Sequence, residues 1–148
     1  MFGVALLDLA DLANCISGDF HVLHLNVRGL EFDTLHKQVL KTYYEQAAED
    51  YDSWAEAALM FEDTEAAPNP NESGKRIEYQ SYDGTPTRDE AIAKTKDLLE
   101  LYFEALVTLF RALEQEKEDA KCIGVSNTLQ TRIEYWSKEL HYFNARRN

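Results

Sequence analysis

The sequence predicts an all-α domain: a four-helix bundle in which one long crossover joins two helical hairpins. Three observations point there. Apolar residues recur at helical spacing in four long stretches. Turn formers gather in a single segment between the second and third stretches, and the links within each hairpin are short. A plain up-and-down bundle needs only short links, so the long middle segment implies a crossover. With 148 residues, three prolines and six glycines, the chain is expected to form one domain over residues 1–148.

The first helix is expected over about residues 2–28. Phe2, Leu6, Leu9, Ala13, Ile16, Phe20, Leu23 and Val27 follow a 3–4 alternation, which draws one stripe down a long helix, and Gly29 ends it. Asp33 is placed to cap the second helix, expected over about 33–62, whose stripe is Leu35, Val39, Tyr43, Ala47, Tyr51, Trp54, Ala58 and Phe61. Periodicity then dissolves into Pro68-Asn69-Pro70-Asn71, Ser73-Gly74 and Asp83-Gly84, a crossover loop over about 63–87. A short helix or extended piece is expected between Arg76 and Tyr82. Thr87 and Glu90, just after Pro86, form a capping-box pattern that starts the third helix, about 88–115. Its stripe is Ile92, Thr95, Leu99, Tyr102, Leu106, Leu109 and Leu113. A charged turn from Glu114 to Lys121 and then Gly124 precede the fourth helix, about 125–145, striped by Val125, Leu129, Ile133, Trp136, Leu140 and Phe143.

The composition excludes several functions. No apolar run approaches the roughly 18 residues that cross a bilayer, and Asp8 and Asp11 break any signal-peptide pattern, so no membrane association and a cytoplasmic location are expected. Cys15 and Cys122 are too few for a disulfide framework and are expected as reduced, partly buried thiols. The net charge of −12, from 15 basic and 27 acidic residues, opposes direct DNA binding. Lys75-Arg76 and Arg146-Arg147 make no basic arm. An acidic surface instead concentrates cations.

Chemistry-bearing residues gather between His24 and Glu56. His24 falls near the end of the first helix and His36 in the first turn of the second, so a short connection lets the two imidazoles approach each other. Asp52 and Glu56 stand one turn apart on one face. Mixed nitrogen and oxygen ligands suit iron or another divalent transition metal. The acids lie more than four turns beyond His36, about 24 Å along the axis at 1.5 Å per residue. All four ligands therefore meet only across a two-fold dimer, which creates two identical sites. The usual ferritin plan, an inward glutamate with Glu-x-x-His, is absent; Asp33-Thr34-Leu35-His36 is its nearest approximation. His21 shares the face of His24 and is expected as a solvated or interface residue, and His141 as structural. Trp54 and Trp136 are expected in the packing, with radical quenching as a second role.

A family resemblance rests on these residues. The run His24-Leu25-Asn26-Val27-Arg28-Gly29, followed by Phe32 and Leu35-His36, resembles the His-Trp-Asn-Val-Arg-Gly…Phe…Leu-His signature of the Dps mini-ferritins. Asp52-Ser53-Trp54-Ala55-Glu56 is similar to that family's Asp-x-x-Ala-Glu, and Arg132-Ile133-Glu134 with Lys138 is a fainter echo. The resemblance implies a ferritin-like bundle, a dodecameric cage and oxidation of Fe(II), usually by peroxide, between two-fold-related subunits. His24 and His36 are then ligands from one subunit, and Asp52 and Glu56 from its mate. Iron storage and relief of oxidative stress follow from that activity, with DNA protected chemically and without contact. Asn26, Arg28 and Gly29 shape the turn.

Three positions depart from the pattern. Leu40 stands where the family has an acid four residues after the second histidine, and Leu25 replaces a tryptophan. The His36-to-Asp52 interval is one residue longer than usual, which turns a helix by about 100°. Strict spacing selects Tyr51 and Ala55, which cannot replace the acids; a π-bulge restores the pair. These departures define the alternative, a non-catalytic ferritin-like bundle acting as an assembly or interaction module.

Overall fold

The computed structural model describes residues 2–27, 32–64, 66–116 and 119–147. Arg28 and Gly29, read above as the turn that ends the first helix, lie outside them, as do the side chains of Phe32, Asp33, Arg146 and Arg147. The chain is all-α, with no strand among the described residues. Helix α1 spans Phe2–Asn26. The second long helix opens as a π-helical stretch, Phe32–Leu40, and continues as α2, Lys41–Ala58. A 3₁₀ turn, Pro70–Glu72, leads into a single helical turn, α3, Ser73–Arg76. The remaining long helices are α4, Arg88–Glu114, and α5, Ala120–Arg147.

The apolar stripes become the core. Leu6, Ile16, Phe20 and Leu23 of α1 are buried with Tyr43 and Trp54 of α2, Leu98, Tyr102 and Leu106 of α4, and Leu129, Trp136 and Phe143 of α5. Helix α1 packs along α2, α4 and α3, and α4 along α5. The α1–α2 pairing is antiparallel: Gly3 meets Asp63, Ser17 meets Tyr44, and His24 meets His36. At its open end Asp63 accepts from the backbone N–H of Gly3 and Val4, both at 3.1 Å, satisfying two of the donors that a helix start leaves unpaired. A Cβ on Gly3 would collide with the Thr64 hydroxyl and crowd Asp63 and Phe61, so only glycine lets the chain return this closely.

Helix limits shift in two places. The second helix stops at Ala58 and not near residue 62, because Met60 and Phe61 donate three residues back to Ala57 and Ala58, and the Thr64 hydroxyl takes the Ala58 carbonyl at 2.6 Å. The fourth begins at Ala120, five residues before the expected 125, so Gly124 and buried Cys122 are interior helix positions. The capping box of Thr87 and Glu90 forms as read, with both reciprocal bonds present.

The short helix between α2 and α4 lies at 73–76, upstream of the expected 76–82. Its end is a left-handed Glu78, φ 54°, after which Tyr79 N–H reaches back to the Gly74 carbonyl at 2.9 Å. Two carboxylates of α1 clasp this segment. Asp11, fully buried, accepts from the Ser73 hydroxyl at 2.7 Å and from Arg76 Nε at 2.6 Å. Asp19, 2% exposed, accepts from the Tyr79 hydroxyl at 2.6 Å and the Tyr82 N–H at 2.9 Å. None of the helices is long and apolar enough, over the described residues, to cross a membrane.

Candidate functional site

His24 lies in the last turn of α1 and His36 inside the π-helical stretch, and the fold stacks their rings 3.8 Å apart, 13° from parallel. Their hydrogen bonds are reciprocal. His24 Nδ1 lies 2.7 Å from the His36 carbonyl oxygen, and His36 Nδ1 lies 2.7 Å from the His24 carbonyl oxygen. A carbonyl only accepts, so both Nδ1 atoms carry a proton and donate. In its neutral form each ring therefore holds its lone pair on Nε2. A backbone carbonyl on Nδ1 is also the outer-shell partner that orients a metal-binding histidine. Burial pulls His24 below its ordinary pKa against the opposing hydrogen bond to His36, with His36, His21 and Lys41 adding in the same direction as burial. Its ring is thus neutral, and a competent donor, at neutral pH.

Tyr44 fixes the surroundings. Its ring meets His24 edge-on at 5.1 Å and stacks on the exposed His21 at 4.4 Å. His21 is 6.1 Å from His24 and packs on the tyrosine rather than joining the stacked pair. His141 is exposed on α5, beside Tyr142.

Asp52 and Glu56 are both exposed on regular α-helix, one turn apart. Glu56 borders a groove that Ser53 and Met60 share with Lys121 and Gly124 of α5. Leu40 is fully buried in the core. No group of three or more His, Cys, Asp and Glu placed to hold a metal occurs in one chain among the described residues. The π-helical stretch falls partly inside the His36–Asp52 interval. Its wider turn advances less angle per residue than an α-helix, so it takes up an extra residue there.

Sequence reasoning missed a buried polar centre. Asp50 of α2 is fully buried and accepts from the Tyr102 hydroxyl at 2.7 Å, Trp136 Nε1 at 2.9 Å and Gln46 Nε2 at 2.9 Å, with Arg132 Nε 2.7 Å away as a charge partner. The signal was present: Asp50 lies three residues after Ala47 and four before Trp54, on the apolar stripe itself. Asp11, Cys15 and Asp19 likewise form a second line down α1 at helical spacing. Burial, with Asp11 and Asp19, pushes the Cys15 thiol up to about 11, and burial raises Cys122, so both sulfurs stay protonated and unreactive.

The architecture is similar to the crystal structure of Helicobacter cinaedi CAIP, with a TM-score of 0.70 at 19% sequence identity over 95% of this chain and 99% of that chain. No family model matches the sequence, and no curated protein does. The likeness extends to the fold.

Proposed function

We propose that this chain is a Dps-like ferritin, a four-helix bundle with a crossover, that binds Fe(II) as substrate between two-fold-related subunits and oxidises it with peroxide or dioxygen. The observation that carries this reading is the reciprocal histidine lock: both imidazoles turn Nδ1 to a backbone carbonyl, the arrangement that orients a histidine binding metal through Nε2. Asp52 and Glu56 of the two-fold mate supply oxygen ligands, which bind the harder ferric product better than imidazole does. Their exposure on α2 leaves them open to such a contact.

Stacked, nearly parallel rings keep their in-plane Nε2 lone pairs from converging on one point. That geometry suits two ferrous ions, one per imidazole. Two Fe(II) then give their electrons to one hydrogen peroxide, which takes up two protons and leaves as water. Ferric product collects inside a closed assembly, and the net charge of −12 draws more Fe(II) to it.

The test adds Fe(II) and peroxide to the purified protein and follows ferric absorbance. Oxidation is expected to fall by roughly 10- to 100-fold in His24→Ala and His36→Ala, on the scale of disturbed metal sites. A protein mass near one chain, with no protein-dependent oxidation, overturns the reading. One observation favours the non-catalytic assembly module instead: the core absorbs Leu40, so no third ligand stands one turn after His36.

A further inference from the structure

Trp54, Tyr102, Trp136 and Asp50 meet where α2, α4 and α5 converge, each 1% exposed or less. Every proton among them has a forced direction. An indole N–H only donates and a carboxylate only accepts. Trp54 Nε1 donates to the Tyr102 oxygen at 2.8 Å, so the Tyr102 hydroxyl proton points to Asp50 Oδ2 at 2.7 Å. Trp136 Nε1 donates to the same carboxylate oxygen at 2.9 Å. Arg132 Nε lies 2.7 Å from the other oxygen, Asp50 Oδ1, and pairs its charge.

We infer that Tyr102 is a redox-active tyrosine, losing one electron while its hydroxyl proton passes to Asp50. Burial and the Asp50 charge push the Tyr102 phenol well above its ordinary range, so phenolate does not form first. Electron and proton must leave together, and the base that takes the proton is already hydrogen-bonded. A packing role alone is met equally well by apolar side chains, which carry no desolvation cost.

A line of rings connects this centre to the surface. Half-buried Tyr135 lies 5.0 Å from Trp136, edge to face, and Trp136 lies 5.4 Å from Tyr102 in the same manner. In the step, Tyr–OH and Asp–COO⁻ become Tyr–O• and Asp–COOH, and the electron travels outward to a one-electron oxidant. Its physiological source rests on the function proposed above: a hydroxyl-type radical, formed when Fe(II) reduces peroxide by one electron, accepts it and becomes hydroxide. An electron from a further Fe(II) restores the phenol, and the proton returns from Asp50. Stray oxidising equivalents thereby end on a shielded, reducible residue.

The experiment uses iron-free protein, so its outcome is independent of ferroxidase activity. Photogenerated tris(bipyridine)ruthenium(III), with persulfate as terminal acceptor, oxidises the protein, which is then frozen for electron paramagnetic resonance. A persistent neutral tyrosyl signal is expected, narrowed by ring-deuterated tyrosine and lost in Tyr102→Phe. Its oxygen is expected to carry fixed exchangeable-proton couplings from Trp54 and Asp50, removed in D₂O. That measurement needs no variant, and so stands even where Tyr102→Phe does not fold. A persistent signal of unchanged size in folded Tyr102→Phe, or a signal without exchangeable couplings, overturns the inference, as does the absence of any persistent signal.

Discussion

Asp50 and Asp52 stand two residues apart on α2 and have opposite fates. Asp50 faces the core and is surrounded by Gln46, Tyr102, Trp136 and Arg132, which satisfy both its oxygens. Asp52 faces outward with Glu56. One carboxylate is fully used by its own chain, while the other is available to something outside it. Helical geometry sorts them, since two residues turn the helix by about 200°. A carboxylate committed to the fold should report on stability, and one held in reserve should report on activity alone.

The comparison breaks most visibly at Asp50. Asp50→Ala strands the Arg132 charge together with three hydrogen-bond donors, and a loss of about 3–5 kcal/mol is expected in chemical denaturation. Asp52→Ala should stay within about 0.5 kcal/mol of the parent while lowering ferric absorbance in the Fe(II) assay. Equal destabilisation by the two substitutions would remove the distinction.

Gly3→Ala comes next. The added methyl meets the turn after α2, and overpacking of this kind costs about 1–3 kcal/mol, read as a lower denaturation midpoint. Asp11→Asn keeps the shape but removes the charge opposite Arg76; a loss of about 1–3 kcal/mol is expected, with faster hydrogen exchange confined to 73–82. Exchange that quickens throughout the core instead would place Asp11 in the class of Asp50.

The smallest effect concerns pH. The folded-state pKa of His24 lies below its unfolded value of about 6.5. Between the two the unfolded chain binds a proton that the folded chain does not, so acid favours unfolding. Stability is therefore full above about pH 6.5 and declines as pH falls toward the folded value. Denaturation midpoints from pH 8 to 5 should show this slope, and His24→Gln should flatten it.

Much of this was legible in the sequence. Apolar spacing located the long helices and most of their buried residues, because a 3–4 alternation admits few other solutions. Thr87 and Glu90 announced a helix start because their chemistry is local. Leu25 is exposed and Leu40 buried, neither of which the motif alone decides. The π-helical stretch could be anticipated only as a remedy for one surplus residue, since its position depends on packing against α1. Asp11, Asp19 and Asp50 were the harder part. Helical periodicity places each of them on an inward line, but the partners that make a buried carboxylate tolerable lie dozens of residues away and leave no trace in it.

The clasp of Asp11 and Asp19 also bears on how chains avoid exchanging parts. The helix pairs α1–α2 and α4–α5 are joined by a long segment, and one pair could be exchanged between molecules, since a swapped partner offers identical contacts. The bonds to Ser73, Arg76, Tyr79 and Tyr82 tie residues 73–82 of that segment to the chain's own first helix. Only residues 83–87 are left between the last tether and α4 as a hinge. Each chain is thereby held to its own α4–α5 pair, and identical molecules can associate by their outer faces without becoming entangled.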